Sequence, residues 1–253
     1  MTNPGAWSAS QVAFWGVVYF ATIYMVAGLL GSLVRAALTR RHIGHVLDPR
    51  ALAPMQVRRE WRQSALSILI FGVGILLPWW MVKVGWAEIH PHNQPLRVGI
   101  ELVALVLWND LHFYAVHRLL HHPKLLHAVH AAHHQSVVTT PWSTYAFHPV
   151  EAMLLGSVLL LPMVVWPFTL ASLMLLPIVS LTYNVVGHCN YRALPKRWRW
   201  LSNAQDHHLH HACHRGNFGF LTTFMDASFG TRLSHDAADA VIAAGLARQK
   251  RST

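Results

Sequence analysis

The chain has 253 residues, of which 53% are hydrophobic and only 12% are charged, so its composition favours a membrane protein over a soluble domain. The net charge of +10 does not indicate nucleic-acid binding, because the basic residues flank apolar stretches and no nucleic-acid motif is present. A charged membrane surface fits this balance better. The two cysteines, Cys189 and Cys213, form no C-x-x-C pair, which argues against a disulfide framework or a thiolate zinc site.

Five apolar stretches follow one another along the chain. They cover about residues 12–34, 65–86, 98–116, 152–166 and 169–186. Three of them approach the ~20 residues that cross a bilayer core. The fourth is short, with Pro162 and Pro167 at its end, so the last two stretches are expected to form a hairpin that either dips into the bilayer or just spans it. The expected fold is all-α: a multi-pass membrane protein with four to five transmembrane helices, a cytoplasmic histidine-rich helical cap and no strands.

The distribution of arginine predicts how these stretches are oriented. Between the first and second stretches lie Arg35, Arg40, Arg41, Arg50, Arg58, Arg59 and Arg62. By the positive-inside rule this loop is cytoplasmic, and the N-terminus and the 88–97 loop lie outside. No basic residue precedes the first stretch, so no cleavable signal peptide is expected. The third stretch and the hairpin both return the chain to the cytoplasmic side, which therefore receives everything that follows them.

Histidines are concentrated in those cytoplasmic segments. Fifteen of the chain's 20 histidines lie between His112 and His214, mostly in three boxes: H-R-L-L-H-H from His117, H-A-A-H-H from His130 and H-H-L-H-H from His207. Spacings of three and four place side chains on one face of a helix. Imidazole suits iron, zinc and copper, and three converging boxes hold more nitrogen ligands than one four-coordinate zinc needs. The boxes therefore predict a two-metal site; the plainer interpretation is a set of surface histidines.

The surrounding residues extend this pattern. Asp110 and Tyr114 precede His117, an A-F-H-P element follows at residues 146–149, and N-F-G and D-A-S-F-G-T elements begin at Asn217 and Asp226. In this order the chain resembles the fatty acid hydroxylase/sterol desaturase superfamily of membrane di-iron oxygenases, over about residues 98–233. Residues 98–233 are therefore expected to be the catalytic domain, preceded by a transmembrane region with a basic loop (1–97) and followed by a tail (234–253).

The resemblance implies a set of metal ligands. It assigns this role to His117, His121, His130, His133, His134, His188, His207, His210 and His211. His122 is an alternative to His121, because some members of the superfamily have four residues between the first pair. Relatives with ten histidine ligands carry one more at the position where this chain has Asn184, which is then either a weak or water-mediated ligand or an open coordination position.

Other polar residues are expected near the site without binding metal. His148 is expected beside the ligands or on the substrate side. Four acids are expected either to orient ligand imidazoles or to pair with nearby arginines: Asp110, Glu151, Asp206 and Asp226. His112 lies five residues before His117 and points to a different helix face, and His127 and His208 neighbour ligand positions but project elsewhere. Five other histidines are interpreted as surface or interfacial residues: His42, His45, His90, His92 and His235.

The resemblance implies an enzyme with two non-haem iron ions and dioxygen as co-substrate. It would hydroxylate, or alternatively desaturate, an unactivated C–H position of a membrane lipid. The alternatives are a sterol or carotenoid substrate and, in another class, a metal transporter, which would hold its ligands near the bilayer midplane. No flavin, haem or iron–sulfur motif is present, so a separate ferredoxin, rubredoxin or cytochrome-type donor is implied, with Lys196, Arg197, Arg199 and Arg215 as a candidate docking face. Alanine and arginine richness favours a bacterial inner membrane; the sequence does not indicate the oligomeric state.

Overall fold

The computed structural model describes residues 7–193 and 200–234, together with residues 236, 240, 243, 244 and 247. Long apolar helices dominate this part of the chain, and four helical stretches are long and apolar enough to cross a bilayer. They are α1 (Ala9–Arg40), α2 with α3 (Gln56–Gly74 and Leu76–Lys83), α4 (Pro95–Leu120) and a helix over Leu170–His188. The predicted all-α membrane fold is therefore confirmed.

Short helical segments connect and cap these long helices. In chain order they are α5 (Pro123–Leu125), a π-helix (Leu126–His130), α6 (Ala131–His134), a 3-10 helix (Pro141–Tyr145), α7 (Pro149–Gly156), a 3-10 turn (Ser157–Leu159), α8 (Leu160–Val165), α10 (Ala204–Cys213) and α11 (Phe224–Ser228). The spanning helix Leu170–His188 is α9. The expected apolar hairpin thus consists of residues 149–165, which are too short to cross, and α9, which is long enough.

The fold also contains strands, so the expectation of a strand-free chain is wrong in this detail. β1 (His45–Val46) pairs antiparallel with β4 (Tyr191–Arg192), and β2 (Ile89–His90) pairs parallel with β3 (Phe168–Thr169). Each ladder joins two loops, which must therefore lie on the same side of the membrane. The arginine-rich loop consequently shares a side with the end of α9, and the 88–97 loop shares the other side with the turn before α9, as the charge pattern predicts.

Helices α1 and α2 approach each other at paired glycines. A Cβ atom on Gly16 would lie 2.4 Å from the carbonyl oxygen of Gly72, and a Cβ atom on Gly72 would lie 2.5 Å from the backbone nitrogen of Val17. Membrane helices gain little from burying apolar surface against each other, so small residues that allow close packing determine where they meet. The outward faces of both helices carry exposed apolar side chains, as a lipid-facing surface requires.

A buried carboxylate ties α2 to the segment that follows the second box. Glu60 is fully buried and accepts hydrogen bonds from Gln56 at 2.8 Å, Ser136 at 2.7 Å and Thr140 at 2.6 Å. Residues from both sides of the predicted domain boundary at 97/98 are thus linked; the boundary itself stays a prediction. Most of the 234–253 tail lies outside the described residues.

Candidate metal centre

Four chain segments bring the nine predicted ligands to one end of the helix bundle. The end of α4 carries His117 and His121, and the π-helix with α6 carries His130, His133 and His134. The last residue of α9 is His188, and α10 carries His207, His210 and His211. Seven of these histidines are at most 3% exposed, and His121 and His207 are partly buried.

The nine histidines divide into two groups, in each of which one ring nitrogen per residue lies within 4.8 Å of all the others. The five-histidine group contains His117, His121, His130, His134 and His210, and the four-histidine group contains His133, His188, His207 and His211. No further residue of the described part belongs to either group. The structure thus brings together the whole set that the sequence singled out, while its occupation by metal stays a prediction.

Helix geometry explains how the boxes divide. Residues four apart stay in one group: His117 with His121, His130 with His134, and His207 with His211. Adjacent residues project about 100° apart around a helix, so the neighbours His133–His134 and His210–His211 send one ring to each group. The ring planes within each pair are accordingly nearly perpendicular, with interplanar angles of 77° and 88°. The π-helix over Leu126–His130 widens the turn before α6, and such turns often occur at functional sites.

The Nδ1 atoms of several ligands are engaged outside the groups. His117, His121 and His210 have Nδ1 contacts with the carbonyl oxygens of Phe218, His214 and Gly216, at 3.0, 3.1 and 2.7 Å. His188 Nδ1 lies 2.7 Å from the hydroxyl of Ser143, which itself donates to the Thr140 carbonyl and therefore accepts from the imidazole. These bonds place the ring proton on Nδ1, so Nε2 is left as the ligand atom.

The acidic candidates act in different ways. Glu151 contacts a ligand directly, with its Oε1 at 2.9 Å from His130 Nδ1. Asp226 acts indirectly, because it accepts from the backbone of Phe218 and Gly219 and so fixes the carbonyl that His117 contacts. Asp110 accepts from the backbone of residues 221 and 222, and Asp206 forms the capping box of α10 with Asn203. His148 caps α7 through Nδ1 and joins neither group.

Burial keeps the imidazoles neutral. Loss of water around the charged form lowers the pKa of His121 and His133 to about 4 and that of His207 to about 3, from an ordinary value of 6.5. Burial, reinforced by neighbouring imidazoles, also lowers the pKa values of His130, His134, His210 and His211. A neutral imidazole is the form that binds metal, so these ligands need not lose a proton near pH 7.

The ambiguous residues take distinct places. His122 is exposed at the start of α5, which leaves His121 as the member of the first box that joins a group. Asn184 lies beside the groups and donates weakly to the Thr144 carbonyl at 3.4 Å. His112, His127 and His208 stay outside both groups, as expected; His208 contacts the buried carboxylate of Asp48 instead. Sequence reasoning missed Ser143 and the backbone carbonyl partners, which carry no residue-type signal.

Two of the cavities that adjoin the histidines lie next to each other. An apolar cavity of about 380 Å³ runs between α2, α4, α7 and α9, and a second cavity of about 10 Å³, with room for one water-sized molecule, is lined by His117, His130, His133, His188 and His207. Both cavities share four lining residues: Phe113, Phe147, Leu155 and Asn184. The large cavity therefore ends next to the histidine groups, and these four residues form the wall between the two cavities.

Comparison with known proteins agrees with this arrangement. The chain is 28% identical over 233 residues to the Delta(7)-sterol 5(6)-desaturase erg3C of Aspergillus fumigatus, covering 78% of this chain and 72% of the relative. It is 28% identical to the Delta(7)-sterol 5(6)-desaturase of Leptosphaeria maculans, covering 82% of this chain and 57% of the relative. The very-long-chain aldehyde decarbonylase GL1-7 of Oryza sativa is 29% identical, over 79% of this chain and 33% of its own length. No solved structure matches.

The sequence profile of the fatty acid hydroxylase family matches residues 102–231. This range contains all nine histidines of the two groups and is just over half of the chain. Together with the sterol desaturase relatives, the match agrees with the superfamily inferred from the boxes and their flanking elements. The chain belongs to the fatty acid hydroxylase family.

Proposed function

We propose that the protein is a membrane-bound oxygenase that holds two non-haem iron ions and uses dioxygen and external electrons to hydroxylate or desaturate a lipid. The observation that carries this proposal is the meeting of two groups of neutral histidines with the end of an apolar cavity inside the helix bundle. Iron with dioxygen would supply the oxidising power that side chains lack. The chain's own contribution is to hold the lipid, exclude water and present the reacting carbon to the histidines.

The donor set supports iron rather than zinc. Structural zinc takes four ligands in a tetrahedron, whereas one group here offers five histidines. Imidazole also suits iron, and nine histidines divided into groups of five and four exceed what one zinc ion needs.

The relatives favour a second candidate for the reaction. Two of them are named as Delta(7)-sterol 5(6)-desaturases, and their alignments cover 78% and 82% of this chain. A sterol desaturase is therefore the alternative to an acyl-lipid hydroxylase. Both reactions begin by breaking an unactivated C–H bond and need the same apolar access. The cavity volume of about 380 Å³ falls within the ~300–1,000 Å³ usual for small-molecule sites.

Electrons would come from a separate acidic donor protein of the ferredoxin, rubredoxin or cytochrome type. Most described carboxylates near the histidine end are buried: Asp48, Glu60, Asp110, Glu151, Asp206 and Asp226. Exposed cations there include Arg118, Lys124 and Arg215. Arg215 adjoins His214, whose carbonyl contacts His121, so this point is near the five-histidine group. The other residues of the expected docking face, Lys196, Arg197 and Arg199, lie outside the described residues.

The arginine-rich loop supports a cytoplasmic location for the histidine end. The relatives named above are fungal and plant proteins, so they give no support to the bacterial membrane that composition suggested.

Lipid analysis and metal analysis together test the proposal. Cells that produce the protein should accumulate a lipid that has gained one oxygen atom or lost two hydrogen atoms, and the purified protein should contain about two iron ions. His188→Ala should abolish the product, whereas His127→Ala, on an exposed ring outside both groups, should leave it unchanged. Zinc flux across proteoliposomes without oxygen consumption would show a transporter instead and refute the proposal.

A further inference from the structure

The large cavity has a lining that restricts what it can hold. Among the described residues, none that lines it is a lysine, arginine, aspartate or glutamate, and the polar side chains are mainly Asn109, His112, Ser157, Ser180 and Asn184. Burying a charged headgroup without a partner inside the membrane is costly, so a ligand must leave any charge outside. The part of the ligand within the cavity is consequently apolar or uncharged.

Asn109 is a largely buried residue whose side-chain amide has no hydrogen-bond partner among the described residues. It is 7% exposed and lines the cavity, and no hydrogen bond joins its side chain to any residue of the described chain. A side-chain amide has two N–H donors and a carbonyl acceptor, and buried polar groups in proteins are nearly always paired. This amide is therefore available to a polar group of a ligand.

His112 offers a complementary acceptor. Its Nε2 lies 3.3 Å from the hydroxyl oxygen of Ser157, and that hydroxyl donates to the Leu154 carbonyl at 2.7 Å. Ser157 must then accept, so His112 Nε2 carries the proton and Nδ1 is a free acceptor. No hydrogen bond to this Nδ1 is found among the described residues. Asn109 and His112 are three residues apart on α4 and line the same cavity.

We propose that Asn109 and His112 form a binding site for a single hydroxyl group of a lipid whose apolar body fills the cavity. A hydroxyl can donate to Nδ1 of His112 and accept from the amide of Asn109 at once, whereas a ketone or ester carbonyl can only accept. His112 and Asn109 precede His117 on α4 by five and eight residues, about 7.5 and 12 Å along the helix axis. The oxidised carbon is therefore several bonds away from the carbon that bears the hydroxyl.

Binding of paired probe lipids tests this site. We would measure the affinity of the full-length, iron-loaded protein for tritiated cholestanol and 1-octadecanol, each against its methyl ether, which cannot donate. At least one alcohol should bind about tenfold more tightly than its ether, as expected when a buried polar group is paired rather than left unpaired. The better pair also shows whether the body is a fused ring or a chain. Equal binding of alcohol and ether in both pairs would overturn the proposal.

Variants then show which residues cause the preference for the alcohol over its ether. Asn109→Leu and His112→Phe should each bring the ratio of the two affinities close to one and keep the iron content of the wild type. Thr182→Val is the matched control, because this hydroxyl lies on α9, is exposed and donates to the Ile178 carbonyl; it should keep the full preference. If both variants keep the preference, or lose iron together with it, the assignment is wrong.

This inference rests on the proposed function only for the position of the oxidised carbon relative to the hydroxyl group, and the hydroxyl site and the proposed function can fail separately. A wild-type protein that contains iron and oxidises lipid, but binds alcohol and ether equally, overturns the hydroxyl site alone. A wild-type protein with the alcohol preference, but with neither iron nor oxidised product, overturns the proposed function alone.

Discussion

The carboxylate of Glu151 allows a sharp test of how the five-histidine group is held. Its Oε1 lies 2.9 Å from His130 Nδ1, and both side chains are 1% exposed. When Nε2 of a histidine binds a metal, a carboxylate that contacts the Nδ1 proton fixes the ring and makes it a stronger ligand. Replacement of such a partner typically lowers metal affinity by about 10- to 100-fold, or about 1.4 to 2.7 kcal/mol. We expect Glu151→Gln to have this effect on one of the two metal ions.

A chelator titration of iron-loaded protein measures this loss of metal affinity. In the wild type both ions should resist the chelator, and in Glu151→Gln one iron per chain should leave at a chelator concentration about 10- to 100-fold lower. Only the five-histidine group contains His130, so the second ion should keep the wild-type midpoint. Unchanged midpoints, or an equal shift of both, would refute the reasoning.

Glu101→Gln is the matched control for this experiment. Glu101 is also a buried carboxylate, but it accepts from Thr169 and Ser172 at the opposite end of α4 from the histidines. This variant can lower the stability of the fold, yet both iron midpoints should stay at the wild-type values.

Three further predictions follow from the site. His133→Ala and His134→Ala, although adjacent, remove ligands from different groups, so spectra of the iron remaining in the two variants should differ; identical spectra would argue against two groups. The metal-free protein should melt at a lower temperature at pH 5 than at pH 7. His121, His133 and His207 have folded-state pKa values of about 4, 4 and 3, below the 6.5 of the unfolded chain, so the unfolded chain takes up their protons first as the pH falls. Stability present above pH 6.5 is therefore lost towards pH 4, by about 2 kcal/mol for each histidine at pH 5. A constant melting temperature would contradict the lowered pKa values. Arg215→Glu should reduce turnover with an acidic protein donor but not with dithionite, and equal loss with both would exclude docking at this arginine.

The fold could be predicted well from the sequence because its main determinant is local. Runs of about 20 apolar residues have few structures available in a bilayer other than a helix, so the long helices follow from composition. The short strands could not be predicted in this way. Each has two residues, and Ile89 and Phe168 pair only because the surrounding helices bring distant loops together.

The histidines that meet in the structure could be named from the sequence, but their contacts could not. Helical spacing indicates that histidines within a box share a face, and the family resemblance adds His188; their role as metal ligands stays a prediction. The partners of their Nδ1 atoms depend on tertiary packing. Ser143 reaches His188 from a 3-10 helix far away in sequence, and the carbonyl of Phe218 is positioned by Asp226. His148 shows the converse, because a histidine in a distinctive motif serves here to cap a helix.

The adjacent histidine pairs link the two groups. Because His133 and His134 diverge around one short helix, and His210 and His211 around another, α6 and α10 each carry ligands of both groups. A small rotation of either helix would move one ring towards its group and the other away, so such a rotation, unlike a change at the single ring of His130, affects both groups. Two contacts limit such a rotation of α10: the capping box at Asn203 and the contact of His210 with the Gly216 carbonyl.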